Sequence, residues 1–235
     1  PDGSIYEFDE KPKVPKSTSA SMGIYVFSWD KLKKYLILDA QTEGSSNDFG
    51  KDVLPAMLKA GERMFAYQFE GYWKDVGTID SLWEANMDLL DPNVPLDLSK
   101  DNNKIYSRNP VMPPHYIGES AKIQNSLVAD GCNIYGELEF SILFAGVTVQ
   151  KGAVVTDSIL MPGVVVEENA VVQYAIVAEN AVIGKNAVIG ARPEDISDKN
   201  EWGVTVIGDN LHIGANADVP PKSMIDKDIE EVQAK

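Results

Sequence analysis

One cysteine, Cys132, and two histidines, His115 and His212, are all that 235 residues hold of the commonest soft metal ligands. A single thiol cannot close an internal disulfide, and a lone cysteine among aliphatic neighbours reads as a small buried hydrophobe. That usage fits a reducing compartment, and a cytoplasmic location is expected. Long apolar runs are missing as well: none approaches the roughly 20 residues of a membrane-spanning helix, so no membrane partner is expected. Positive charge is scarce. With 21 basic against 36 acidic residues the net charge is −15, which repels phosphate backbones and argues against nucleic acid. The opening residues, PDGSIYEFDEKPK, contain no initiator Met, basic n-region or apolar h-region, and so read as the middle of a domain. The expectation is a chain without its N-terminal part.

What is present in quantity is a period. Leu143, Val149 and Val155, then Leu160, Val166 and Val172, then Val177, Ile183 and Ile189 form trios spaced by six residues, each new trio starting five residues after the last. The combined period is 17. Ile117, Ile123, Val128 and Ile134 keep the same rhythm upstream, as do Ile207, Ile213 and Val219 after an interruption. Neither a helix, with period 3.6, nor a half-buried strand, with period 2, produces a six-residue beat. A triangular coil does, if each short strand sends one aliphatic side chain inward and small or turn-prone residues make the corners. The spacing therefore predicts a parallel β-solenoid, whose six or so coils at about 4.8 Å each would stand about 29 Å tall. The segment ARPEDISDKNEWG, 191–203, breaks the repeat with charges and is expected to project as a loop.

Upstream the pattern alternates. ASMGIYVFS, 20–28, reads as a buried strand, and Ser28 as the N-cap of an amphipathic helix over WDKLKKYLI. NDFGKDVLPAMLKAG, 47–61, reads as a helix capped by Asp48 and stopped by Gly61. RMFAYQFEGYWKDV reads as a strand, and TIDSLWEANMDLL, 78–90, as a helix capped by Thr78. Alternating strands and helices argue for an α/β sheet. The polar, proline-containing stretch 91–103 is where a boundary is expected. The domain reading is 1–91, a partial α/β domain; 92–115, a linker; 116–222, the solenoid; and 223–235, a solvated tail.

Three short stretches carry candidate chemistry. Glu10-Lys11-Pro12 follows the apolar-rich SIYEF and puts an acid and a base at a strand end, where open α/β sheets place ligands. A carboxylate there can accept hydrogen bonds from sugar hydroxyls, and an ammonium can hold a phosphate. By itself the tripeptide reads as a solvated turn. Ser21-Met22-Gly23 opens the next expected strand, where Gly23 permits a close backbone approach or simply tight packing. In YWKDVGT, 72–78, Asp75 precedes a capped helix, a position from which a carboxylate can bind a hard cation such as Mg²⁺ or cap the helix. Trp73 can line a ligand or belong to the core.

Taken in order, FDEKP, SMGIYVF, DFGKDVLP and YWKDVGT followed by SLWEANMDLL, and then a hexapeptide solenoid with VIGKNAVIG, closely resemble the bacterial ADP-glucose pyrophosphorylases, the glucose-1-phosphate adenylyltransferases. The resemblance spans essentially the whole chain. It implies a partial nucleotidyltransferase Rossmann-like α/β domain followed by a left-handed parallel β-helix. In that family glucose 1-phosphate attacks the α-phosphorus of ATP to give ADP-glucose and pyrophosphate for glycogen synthesis, with Mg²⁺ as the expected cofactor. Carried over by motif, Glu10 and Lys11 contact the sugar phosphate, Ser21 bonds the glucosyl part, Trp73 shapes the pocket, and Asp75 is the catalytic Mg²⁺ ligand. The resemblance also implies allosteric regulation and a homotetramer, or a heterotetramer with a sister subunit. The family's glycine-rich, arginine-containing nucleotide loop does not occur in these 235 residues, so ATP binding by this chain alone is not expected.

Two rival readings remain at this stage. A hexapeptide acyltransferase uses the same solenoid but wants a histidine base; His115 lies in the proline-rich NPVMPPHYIG and His212 beside an inward Ile213, and both read as structural. A non-catalytic sister subunit would keep the scaffold, yet has no chemical need for Glu10, Lys11 and Asp75 together.

Overall fold

The structure is a computed structural model that describes residues 3–96, 98, 106 and 110–233. Most of the expected linker between 97 and 109 lies outside the described residues, as do the last two residues of the tail. The chain divides into two compact units, the first ending at Glu70 and the second beginning at Gly71.

In the second unit the 17-residue period becomes three parallel sheets of six strands each, running from Tyr116–Ile117 to Met224–Ile225. The repeat fixes the register directly. One ladder stacks Ile117, Ile134, Val149, Val166, Ile183 and Ile213. A second stacks Ile123, Leu138, Val155, Val172, Ile189 and Val219. The third stacks Val128, Leu143, Leu160, Val177, Ile207 and Ile225. Interior members such as Ile134, Val149, Leu160 and Ile183 have no exposed surface. Each such side chain contributes about 1.5–3 kcal/mol by leaving water. In the first coil Ile117 and Ile123 remain 41% and 39% exposed, because among the described residues no coil stacks on that end.

The step from Ile134 departs from the period. The next inward residue of that coil is Leu138, four positions on rather than six. Gly136 makes this shortcut: a Cβ there would lie 2.3 Å from the Ala153 carbonyl oxygen and 2.8 Å from that of Gln150. Asparagine turns most of the later corners. Asn169, Asn180, Asn186, Asn210 and Asn216 all take left-handed backbone angles, a conformation asparagine tolerates better than other non-glycine residues. Their side chains bond coil to coil, Asn186 to Asn216 at 3.0 Å and Asn180 to Asn210 at 3.2 Å. At another corner serine hydroxyls do the same work. The Ser141 N–H donates to Ser126 Oγ, the Ser158 N–H to Ser141 Oγ and the Ala175 N–H to Ser158 Oγ, at 3.1–3.2 Å. Cys132 is buried as expected, donating from Sγ to the Phe144 carbonyl, and burial raises its thiol pKa.

The segment 191–203 does leave the stack, and the Trp202 indole N–H closes its base on the Ala191 carbonyl at 2.9 Å. The acidic side chains of the tail are exposed, as its composition suggests, but its backbone is bonded to the last coil. The Gly214 N–H donates to the Ile229 carbonyl, the Ile229 N–H to the His212 carbonyl and the Val232 N–H to the Ala215 carbonyl. It pairs because the last coil otherwise presents unpaired strand edges.

Helices α1 (Trp29–Ala40) and α2 (Leu54–Lys59, preceded by a π turn over Phe49–Val53) belong to the first unit, and α3 (Ile79–Met87, extended by a 3₁₀ turn to Leu90) to the second. Asp48 and Thr78 cap as predicted, accepting from the N–H groups of Lys51 and Ser81. Ser28 sits at the N-cap of α1 but its hydroxyl makes no cap bond. Helix α3 lies on the outer face of the third sheet. Met87 and Leu90 are buried with Ile142, Ile159, Ile176 and Val204, and the Trp83 indole N–H donates to the Asp157 carbonyl at 2.7 Å. This packing joins α3 to the second unit, although the change in sequence pattern comes after it.

The predicted strands of the first unit are a correction. SIYEF, 20–28 and 63–76 form no regular strand; only an isolated antiparallel bridge joins Ser4 and Phe65. An extended segment becomes a strand when its N–H and C=O rows find neighbours, and these segments find almost none within the unit. Consequently Ile24 and Val26, expected to be buried, are 74% and 98% exposed. The small core of this unit is helical, with Tyr35, Val53 and Met57 packed by Phe27, Leu36 and Met64.

Candidate active site

In the first unit the turn after FDEKP begins with Glu10, whose carboxylate reaches the Lys11 ammonium at 3.8 Å. The Lys11 side chain is open to solvent and its backbone takes a left-handed φ of 46°, whereas the Glu10 side chain is largely covered. Glu10 is seated by DFGKD. A Cβ on Gly50 would lie 2.2 Å from Glu10 Oε2, so only glycine lets the carboxylate approach that backbone. Asp48 Oδ1 also lies close to this point. Asp48 accepts from the Lys51 N–H, and Asp52 bonds back to the Asp48 N–H at 3.1 Å and to the Ser46 hydroxyl at 2.6 Å. This reciprocal capping fixes the turn that holds Glu10, and the Ser46 bond is the chief reason the Asp52 carboxyl lies below its usual range.

Ser21 is exposed and its hydroxyl shares a 3.0 Å hydrogen bond with Tyr25 Oη, while accepting from the Gly23 N–H at 3.2 Å. Gly23 takes a φ of 71°, and a Cβ there would meet only open space, so tight packing against a neighbouring strand is not what calls for a glycine. Tyr25 in turn stacks on Phe49 at 6.0 Å between centroids. Tyr25, Asp48, Phe49 and Gly50 thus surround Ser21 and Glu10, and residue-by-residue reading does not find them. The signal for them was the DFGKD and SMGIY wording, whose contacts cannot be seen in sequence.

In the second unit Trp73 is 45% exposed, and so is not a core tryptophan. Asp75 is also exposed, and its Oδ1 accepts the Gly77 N–H at 3.0 Å, a short turn leading into the Thr78 cap of α3. Among the described residues no three His, Cys, Asp or Glu side chains are grouped to hold a metal ion. A single accessible carboxylate still suits Mg²⁺, which keeps water and substrate phosphates in its shell and needs few protein oxygens. His115 and His212 are exposed, and His212 lines an open pocket at the last coil with Glu167, Asp228, Glu230 and Glu231.

Residues 1–92 match the nucleotidyl transferase family model, and residues 114–208 match that of the GlmU-like C-terminal hexapeptide. Over 158 residues, 67% of this chain, it is 59% identical to a glucose-1-phosphate adenylyltransferase of Clostridium botulinum (strain Eklund 17B / Type B), and 60% identical to that of Clostridium beijerinckii. The corresponding protein of Bacillus cereus (strain ATCC 14579) is 57% identical over 155 residues. This chain is a relative of the glucose-1-phosphate adenylyltransferases. The matched region covers 41% of the length of each of these three proteins. The two family matches fall on the two patterns read from sequence, a nucleotidyl transferase segment carrying Glu10, Lys11, Ser21, Trp73 and Asp75, and a hexapeptide solenoid behind it.

Proposed function

We propose that these residues form the sugar-phosphate side of a glucose-1-phosphate adenylyltransferase. The observation that carries the reading is the 57–60% identity to proteins of that name across two thirds of the chain. In the proposed reaction a phosphate oxygen of glucose 1-phosphate attacks the α-phosphorus of ATP. The α–β phosphoanhydride bond breaks and pyrophosphate leaves, giving ADP-glucose for glycogen synthesis. Glu10 accepts hydrogen bonds from sugar hydroxyls, the Lys11 ammonium neutralises the sugar phosphate, and Ser21 bonds the glucosyl ring with Tyr25 behind it. Trp73 walls the pocket. Asp75 would hold Mg²⁺, which when bound offsets charge building up on the phosphates. Alignment and charge neutralisation account for such catalysis without a protein nucleophile. The reading includes a cytoplasmic homotetramer, or a heterotetramer with a sister subunit.

The test is kinetic, on a polypeptide that contains these residues and makes ADP-glucose. Lys11→Gln is expected to raise KM for glucose 1-phosphate by about 100-fold with KM for ATP little changed, since a charge-assisted contact is worth about 1.5–3 kcal/mol. Equal effects on both substrates would overturn the assignment of Lys11. The 235-residue chain alone holds no glycine-rich arginine loop and is expected to make no ADP-glucose; turnover by the purified chain would refute that expectation.

A further inference from the structure

Alternation along YWKD raises a point that the proposed roles of Trp73 and Asp75 leave open. In extended backbone successive side chains point to opposite sides. Trp73 and Asp75 are exposed, whereas Tyr72 and Lys74, which alternate with them, are half-buried. Both of these turn toward α3. The Tyr72 hydroxyl donates to Asp88 Oδ2 at 2.7 Å, and Lys74 Nζ reaches the same oxygen at 3.3 Å and Glu84 Oε2 at 3.0 Å.

The acids they meet are badly placed for the helix itself. Glu84 and Asp88 are four residues apart on one face, a repulsive like-charge spacing. Asp88 also stands at the C-terminal end of α3, where the helix dipole disfavours a carboxylate. No basic residue of α3 offsets them. A local rule broken in this way signals a demand from outside the helix, and the partners found there are Lys74 and Tyr72. The two ends of the segment are therefore fixed differently: Tyr72 and Lys74 by α3, and Asp75 by its own bond to the Gly77 N–H.

Resting on the proposed function, we infer that Tyr72 and Lys74 are positioning residues, a two-point anchor on Glu84 and Asp88 that aims Trp73 and Asp75 together at the substrate. Helix α3 is itself clamped to the solenoid through Trp83, Met87 and Leu90, so the anchor ties the aim of Asp75 to the rigid scaffold.

The experiment has two arms. In the 235-residue chain, Lys74→Met is expected to speed exchange of the Gly77 amide, which Asp75 Oδ1 holds, while amides of the solenoid core keep their protection, and Lys74→Arg, which still reaches both carboxylates, is expected to restore it. In a polypeptide that makes ADP-glucose, Lys74→Met and Asp88→Asn are expected to raise the Mg²⁺ concentration for half-maximal rate by about 10- to 100-fold, the usual cost of losing a group that orients a metal ligand. KM for glucose 1-phosphate should change far less. Asp75→Ala serves as the control. If it inactivates while Lys74→Met leaves the Mg²⁺ dependence unchanged, the positioning role is overturned, whatever the exchange shows. If Asp75→Ala is fully active, the proposed role of Asp75 falls instead, and with it the purpose of the anchor. Unchanged exchange in Lys74→Met overturns the anchor even then.

Discussion

The solenoid and the first unit answer the same chemical demand in opposite ways. Each coil of the solenoid finds its hydrogen-bonding partner one repeat away, so a strand of two residues suffices, and in the interior coils its aliphatic side chain is fully covered. The extended segments of the first unit hold as much β-forming sequence, yet Val26 stands 98% exposed while Val166 has no exposed surface at all. The lesson is that strand propensity is only an offer. Whether it is taken up depends on where in the chain the partner lies.

The sharpest way to break this comparison is a pair of identical substitutions. Val166→Asp places a carboxylate in the aliphatic tower, where its burial costs several kcal/mol without a partner; loss of cooperative unfolding of the solenoid is expected by circular dichroism. Val26→Asp is expected to shift stability by no more than about 0.5 kcal/mol. Comparable losses at both sites would show that the first unit buries Val26 after all.

Serines offer a finer comparison. Ser158→Ala removes the acceptor of the Ala175 N–H inside the corner and is expected to cost about 1–3 kcal/mol, the penalty of leaving a buried donor unpaired. Ser28→Ala removes a hydroxyl that makes no cap bond and is expected to be nearly silent in the same denaturant titration.

The smallest effects are those of pH, and they run in opposite directions in the two units. Glu62 is held below its usual range, first by its hydrogen bond from Lys31 and also by the Lys31 charge, and it bonds the Tyr35 hydroxyl as well. A depressed carboxyl contributes stability that is present above its ordinary value near 4.5 and lost as pH falls through the folded value. Asp157 is raised, chiefly by burial and then by Glu139, against the opposing pull of Arg192. Its folded form holds the proton longer than the unfolded chain does, so stability falls as pH rises from its ordinary value near 3.8 through the folded one. Asp157→Asn is therefore expected to stabilise the second unit at neutral pH and not at pH 3, whereas Glu62→Gln destabilises the first unit at neutral pH alone. Melting curves at the two pH values check both signs.

Sequence legibility followed the range of the interactions. The inward positions from Ile134 to Val219 could be read because each repeats its neighbour's environment. Leu138 could not, since a two-residue shortcut at Gly136 breaks the count. The asparagine and serine ladders escaped notice because an isolated Asn186 or Ser158 looks like any turn residue until coils are stacked. Among the site residues, Glu10, Ser21 and Asp75 were singled out by motif, but the glycine that seats Glu10 and the acids that anchor Lys74 lie 40 and 10–14 positions away. Their roles come from close approach, which no local pattern encodes.

What the amino acids alone determined is the triangular stack and most of its register, because a short-period pattern meets itself at every turn and needs no information from afar. Tertiary structure alone decided that α3 rides on that stack, that the acidic tail closes its end, and that Tyr72 and Lys74 turn inward while Trp73 and Asp75 turn out. Those outcomes depend on which surfaces, distant along the chain, arrive close enough to exclude water and share a proton.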